Sequence, residues 1–353
     1  MKRITVSCSR RYDVIIGNDL IDHISSFLND FNLGNNILVI TDDNVSPLYS
    51  DIVLKDLNQN YQTSKYVLPN GESSKNIDHL YQILNHLSEN HFHRNDTILA
   101  LGGGVVTDIS GLVAALYMRG INLVMVPTTL LGMVDASIGG KTAIDLNSGK
   151  NLVGTFYQPL TVICDVDIIR KLPKSIFKEG MAEVIKYNVI EDCPIISYIN
   201  NDTFMEHLEE VIEYCISIKA KIVSEDEYER KGLRKLLNAG HTFAHALENI
   251  SDYQISHGIA VGTGLVYEAT LSEYLGLCDH DTVQQIRKAI QKYDLLIPLE
   301  YDLNHIVNHM KLDKKNEDAN ISFILPTTLG KCIERKLSIE EVKQAYQKIG
   351  VIL

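Results

Sequence analysis

The sequence predicts an α/β N-terminal domain built on a mostly parallel sheet, followed by a mainly α-helical C-terminal domain. Three observations predict it. The chain has 353 residues, which at about 100–200 residues per domain makes two compact units more natural than one. Its first half alternates short apolar runs with amphipathic stretches, the pattern of parallel strands covered by helices. After Leu172-Pro173 the strand signals fade and helical periodicity takes over, which sets the expected division at residues 1–170 and 171–353.

In chain order, the expected strands are Ile37–Ile40, Lys65–Leu68, Thr97–Leu101, Leu123–Val126 and Thr161–Cys164. Each is a short run of β-branched or large apolar residues. Between them, Asn76–Glu89 and Val105–Tyr117 carry helical spacing. Beyond the boundary the helical patterns are Lys178–Val189, Met205–Ser224, His241–Ile250 and Ala260–Tyr274, with one late strand at Ile321–Leu325. No internal repeat is visible. The charged run Ser224–Lys231 reads as a solvated connection without a catalytic role.

Composition narrows the function. The formal net charge of −12 argues against a nucleic-acid partner, because phosphate backbones are gripped by clustered Lys and Arg. The basic N-terminus is followed by no apolar segment, so no signal peptide is expected. The apolar stretch Ile121–Ile138 is broken by Pro127, Thr128, Thr129, Gly132 and Asp135, which argues against a membrane span. Six scattered cysteines with no CxxC pair read as free thiols in a reducing cytoplasm.

Three motifs carry chemistry. In the first, Gly102-Gly103-Gly104 follows an apolar strand and opens a helix that continues through Asp108. Residues without side chains let a ligand approach the free N–H groups of a helix start, which suits a phosphate. A second cluster, Gly139-Gly140-Lys141-Thr142, ends like a Walker A loop but lacks its leading glycine, so an NTPase is rejected. The second motif is Asn238-Ala239-Gly240-His241-Thr242-Phe243-Ala244-His245, with His257 sixteen positions after His241. Histidines at i and i+4 share a helical face and can grip a divalent metal, and a third from the next helix can close the shell. Glu183 stands in an otherwise apolar helical turn, where a lone charge is costly to bury, and is the natural carboxylate partner. In the third motif, Arg119, Lys141, Lys150, Lys186 and Arg234 lie among glycines and apolar residues and suggest a pocket for a substrate bearing phosphate and carboxylate.

These pieces, in this order, resemble the 3-dehydroquinate synthase family from about Asp42 to about Gly330. The matching signatures are Pro69-Asn70-Gly71-Glu72 with Lys75, the Gly102–Asp108 turn, and Pro127-Thr128-Thr129 leading through Asp135 to Thr142. They continue with Ser148-Gly149-Lys150-Asn151, Gly180-Met181-Ala182-Glu183, Gly232-Leu233-Arg234 and His241 to His257. The resemblance implies a Rossmann-like NAD-binding domain, a helical metal- and substrate-binding domain, and an active site in the cleft between them. It assigns NAD contacts to Asp42, Asn44, Glu72, Lys75, Gly103, Gly104, Asp108, Thr128 and Thr129. It gives the metal, Zn2+ or Co2+, to Glu183, His241 and His257, and moves His245 from the metal, where spacing put it, to the substrate. Catalytic roles fall to Lys141, Asn151, Lys186, Arg234 and His245. Further substrate contacts fall to Arg119, Asp135, Lys150, Lys219, Asn238 and either Lys314 or Lys315.

The reaction implied is conversion of 3-deoxy-D-arabino-heptulosonate 7-phosphate to 3-dehydroquinate and phosphate, in the shikimate pathway of aromatic amino acid biosynthesis. Its steps are transient oxidation at C5 by NAD, elimination of phosphate, re-reduction and aldol cyclisation. The resemblance also implies a homodimer. Rival readings are a polyol dehydrogenase of similar fold, a cyclase for another sugar phosphate, and a regulatory protein that binds metal and nucleotide.

Overall fold

The structure is a computed structural model describing residues 1–298, 301–310 and 320–349. Lys314 and Lys315 lie outside the described residues. The chain forms two compact units, Met1–Pro173 with Lys219–Tyr228 and Lys174–Ile218 with Glu229–Leu353.

The first unit is built on strands β1 (Lys2–Ser7), β2 (Arg11–Gly17), β3 (Asn36–Asp42), β4 (Gln62–Leu68), β5 (Thr97–Gly102), β6 (Asn122–Pro127) and β9 (Thr161–Asp165). Between β6 and β9 run β7 (Lys141–Leu146) and β8 (Gly149–Phe156), which pair with each other as a separate antiparallel hairpin. Its helices are α1 (Ile24–Leu28), α2 (Asp51–Leu57), α3 (Ile77–Glu89), α4 (Gly104–Leu116) and α5 (Val166–Arg170). The main sheet runs in the order β1-β2-β9-β6-β5-β3-β4, parallel throughout except for the β1–β2 edge pair.

Strand β5 is buried along its whole length and β3 at all but its two end residues, as a parallel sheet covered on both faces requires. That is why they read as continuous apolar runs. The sequence reading did not anticipate β1, β2, β7 or β8. Strands β1, β7 and β8 carry exposed or half-exposed residues along much of their length, so their runs are interrupted, whereas β2 is buried at five of its seven positions, with Arg11 exposed and Asp13 half-exposed. Strand order fixes where a ligand can sit. From β3 the chain moves outward to β4, then returns to β5 and continues the other way through β6 to β9. The carboxyl ends of β3 and β5 therefore flank the point of reversal, where open α/β sheets leave a crevice.

The second unit contains α6 (Lys174–Ile190), α7 (Ile195–Asn200), α8 (Leu208–Glu225), α9 (His241–Ile250), α10 (His257–Tyr274), α11 (His280–Lys292), α12 (Leu303–Met310) and α13 (Ile339–Ile349). An antiparallel hairpin, β10 (Asn320–Thr328) with β11 (Lys331–Ser338), completes it. Helix α10 packs against α6, α9 and α11, and its residues Ala260–Ser272 are buried without a polar stripe. A helix enclosed on every side needs no amphipathic pattern.

The end of α8, from Lys219, belongs to the first unit, and so does the charged run that follows it as far as Tyr228. Most of that run is exposed, as expected from its charges, with Glu225, Tyr228, Glu229, Arg230 and Lys231 at the surface, but two of its acids are drawn inward. Asp226 is only 3% exposed. Glu227 accepts hydrogen bonds from the Ser9 amide at 2.7 Å, the Ser9 hydroxyl at 2.6 Å and the Gln158 amide at 2.9 Å. A carboxylate supplied with that many donors serves as a structural tie.

Candidate functional site

In the first unit the strand ends carry a glycine turn that forms a backbone cradle at a helix start. Gly102 closes β5, and Gly104 is the first residue of α4, so the helix starts directly at the turn. A Cβ added to Gly104 would meet only the Ala136 methyl, at an ordinary 3.5 Å. The approach to the helix start is therefore open, as a diphosphate needs. At the end of β3, Asp42 accepts the amides of Asn44 and Val45, each at 2.9 Å, and so shapes the loop that carries Asn44. Thr128, 2% exposed, donates its amide to the Gly102 carbonyl, and the Thr129 hydroxyl accepts the Gly132 amide at 3.0 Å. These residues hold the turns on either side of the cradle.

Beside it, Lys75 is 4% exposed and bonds Asp108 at 2.6 Å as well as the Asn151 side-chain oxygen, with Glu72 at 3.8 Å. Burial acts to lower the Lys75 pKa, but Asp108 and Glu72 outweigh it and raise it, so the ammonium stays charged. Asn151 sits at φ 57° on the β7–β8 hairpin, its amide held by Asp145 at 2.7 Å. Lys219 bonds both the carboxylate of Asp135, at 2.8 Å, and its carbonyl, at 2.6 Å. Lys141 is exposed and Lys150 half-buried on the same hairpin, while Arg119 is exposed at φ 65°. Lys75, Asp108 and Asn151 thus form one cluster and Asp135 with Lys219 another. Among the described residues, Arg119 is bonded to neither cluster.

In the second unit, Glu183 on α6, His241 at the start of α9 and His257 at the start of α10 converge. Glu183 Oε1 lies 3.3 Å from Nε2 of each histidine, and the three candidate ligand atoms are all within 4.8 Å of one another. Among the described residues this is the one such group of His, Cys, Asp and Glu. The outer nitrogens are engaged elsewhere. His241 Nδ1 is 3.1 Å from the Ala239 carbonyl and His257 Nδ1 is 3.5 Å from Glu248 Oε1. An Nδ1–H donated outward leaves the Nε2 lone pair facing the common point, the tautomer a metal ligand requires.

Electrostatics suit the same purpose. Burial works to raise the Glu183 carboxyl, but Lys186 and His241 hold it well below the usual carboxylate range. Burial pushes His241 down to about 4. It also acts to lower His257, but the bonds to Glu183 and Glu248 lift that imidazole to about 10. The site therefore holds an ionised carboxylate and a neutral imidazole, with a second imidazole whose proton a divalent cation would displace. The donor set, one carboxylate and two imidazoles, fits a catalytic site with positions left for water or substrate.

Around it, Lys186 is 1% exposed and ion-pairs with Glu183 Oε2, while the His245 ring stands edge-on to His241 at 5.5 Å. Spacing alone pairs His241 with His245, but the structure brings His257 and Glu183 to His241 instead. Arg234 is 2% exposed with Glu229 at 3.6 Å, and the half-buried Asn238 ends the turn Leu233–Asn238. Glu248 was not anticipated. Its signal was available, since it lies seven positions after His241 and so on the same face of α9.

Two family models match the chain, 3-dehydroquinate synthase N-terminal over residues 65–179 and 3-dehydroquinate synthase C-terminal over residues 180–316. The 3-dehydroquinate synthase of Thermodesulfovibrio yellowstonii is 38% identical over 99% of the chain and 100% of its own length. That of Shewanella denitrificans is 41% identical over 94% of both. A solved structure of 2-deoxy-scyllo-inosose synthase, complexed with carbaglucose-6-phosphate, NAD+ and Co2+, superposes with a TM-score of 0.88. It shares 26% identity and covers 98% of this chain and 99% of its own.

Proposed function

The chain belongs to the 3-dehydroquinate synthase family, and from that premise we propose which of its residues do the work. The protein is an NAD- and divalent-metal-dependent enzyme that converts 3-deoxy-D-arabino-heptulosonate 7-phosphate to 3-dehydroquinate and phosphate. The observation that carries the assignment is the convergence of two imidazole Nε2 atoms on one Glu183 oxygen, with both outer nitrogens occupied.

In this reading Glu183, His241 and His257 hold Zn2+ or Co2+. The open helix start at Gly104, with Gly103, Thr128 and Thr129 shaping the turns beside it, receives the NAD diphosphate. Asp42, Asn44, Glu72, Lys75 and Asp108 line the nucleotide's remaining contacts. When bound, the cation supplies Lewis acidity at a substrate hydroxyl and NAD supplies reversible oxidation at C5. Lys141, Lys150, Asn151, Lys186, Arg234 and His245 hold the phosphate, carboxylate and hydroxyl groups, and Arg119, Asp135, Lys219 and Asn238 support them. The leaving phosphate takes the C6 proton, so no side chain is required as a dedicated base. Orientation and charge stabilisation by these residues then supply much of the rate. The reading extends to a homodimer in the cytoplasm, for which the family resemblance and six cysteines free of disulfides speak.

The test is phosphate release from the heptulosonate phosphate with and without NAD+ and a chelator. Release that needs both NAD+ and metal, with no net rise in NADH absorbance, is expected. A stoichiometric rise in NADH would overturn it in favour of a dehydrogenase.

A further inference from the structure

The three helices that carry the candidate ligands are tied to one another by two carboxylate joints of the same design, the first half-buried and the second buried. At the first, Glu179 on α6, one turn before Glu183, reaches the start of α10. Its Oε1 accepts the Ser256 hydroxyl at 2.7 Å and its Oε2 the Gly258 amide at 2.9 Å, on either side of His257. At the second, Glu268 on α10 reaches the start of α9. Its Oε2 accepts the Gly240 amide at 2.8 Å and its Oε1 the Phe243 amide at 3.1 Å, on either side of His241. Neither α9 nor α10 has a side-chain cap from its own Ncap residue. Some of the orphan amides that every helix start leaves are thus satisfied from the neighbouring ligand-bearing helix.

Close backbone approach accompanies each joint. A Cβ on Gly258 would sit 2.5 Å from the Glu179 carbonyl oxygen, and one on Gly264 would sit 2.0 Å from the Gly240 carbonyl oxygen. His257, Gly264 and Glu268 are spaced by seven and then four residues, which puts ligand, close contact and cap on one stripe of α10. Glu268 is 1% exposed, so burying it without a positional return would be a pure cost.

We propose that Glu179 and Glu268 are positioning residues that set the distances between Glu183, His241 and His257 by capping the ligand-bearing helices across their joints. This rests on the metal reading above. A cap that only stabilised its helix would lower the melting temperature and leave metal affinity alone. A positioning cap changes affinity and ligand field.

The experiment uses the full chain, stripped of metal and reloaded. Zn2+ affinity is measured by competition with a chromophoric chelator, the Co2+-loaded protein by its ligand-field absorption, and the metal-free protein by thermal melting. Glu268→Gln and Glu179→Gln, which each replace one acceptor oxygen by a donor, are expected to weaken Zn2+ binding by about 10–100-fold and to alter the Co2+ bands. Ser256→Ala, which spares the Gly258 bond, is expected to give a smaller loss in the same direction. Wild-type affinity and Co2+ spectrum in the folded variants, whatever their melting temperatures, overturn the proposal. Should Glu268→Gln not fold, Glu179→Gln and Ser256→Ala decide it. A wild-type chain that binds neither ion, or a His241→Ala chain that binds as tightly as wild type, would overturn the metal reading instead.

Discussion

The groups around the glycine turn of the first unit and those of the Glu183 cluster in the second are held differently. In the first, Asp42 is satisfied by amides two and three residues away at the end of its own strand, and Thr129 by the amide of Gly132. In the second, Glu183 sits in mid-helix, 1% exposed, and its histidine partners come from helices that begin 58 and 74 residues later. One arrangement is assembled by local turns at the carboxyl ends of strands and presents backbone. The other exists only once separate helices have packed, and presents side chains. Function in the first unit should therefore tolerate side-chain change better than in the second.

The largest expected effect tests that contrast at its strong end. His241→Ala should abolish both metal retention, measured by elemental analysis, and turnover, whereas an active, metal-free variant would break the ligand assignment. Next comes a pH effect confined to the second unit. Burial, opposed by the backbone amides it accepts, pushes Glu268 from 4.5 up to about 8. Because the folded-state value lies above the unfolded one, its contribution to stability is complete below about 4.5 and is lost as pH rises through about 8. Urea unfolding of the metal-free protein should show wild type losing ground to Glu268→Gln across that window, by up to a few kcal/mol. A constant difference would contradict it.

In the first unit, Lys75→Ala removes the partner of a partly exposed carboxylate and should destabilise by about 3 kcal/mol or less, with weaker NAD+ binding. An unchanged unfolding midpoint would show that the Lys75–Asp108 pair is dispensable. The smallest effect is the sharpest. Gly104→Ala has room for its methyl and should leave stability unchanged or raised by under about 1 kcal/mol, yet weaken NAD+ in calorimetric titration. Undiminished NAD+ affinity would remove the diphosphate from that helix start.

What the sequence made legible follows the same division. The buried parallel strands announce themselves as apolar runs, and the Gly102–Gly104 turn as a strand-to-helix junction, because both depend on adjacent residues. The edge strand β1 and the hairpin β7–β8 do not, since half-exposed strands lack an unbroken pattern, and in β2 the buried run Val14-Ile15-Ile16 is short and preceded by Arg11 and Asp13. In the helical unit, spacing identified His241 and proposed His245 as its partner, because only neighbours on one helix are visible to periodicity. Bringing His257 and Glu183 to His241 needs tertiary packing, and spacing could do no more than offer them as candidates. The roles of Glu179, Glu227 and Glu268 were hidden for one reason: a carboxylate that caps or ties a distant segment looks, in sequence, like any solvated acid.

The acceptor for His241 Nδ1 is the carbonyl of Ala239, a main-chain atom, while His257 relies on the side chain of Glu248. The two imidazoles are consequently unequal in their exposure to genetic error. No base change can delete a peptide oxygen, so the tautomer of His241 is inherited along with the backbone path itself. That of His257 can be lost in a single codon.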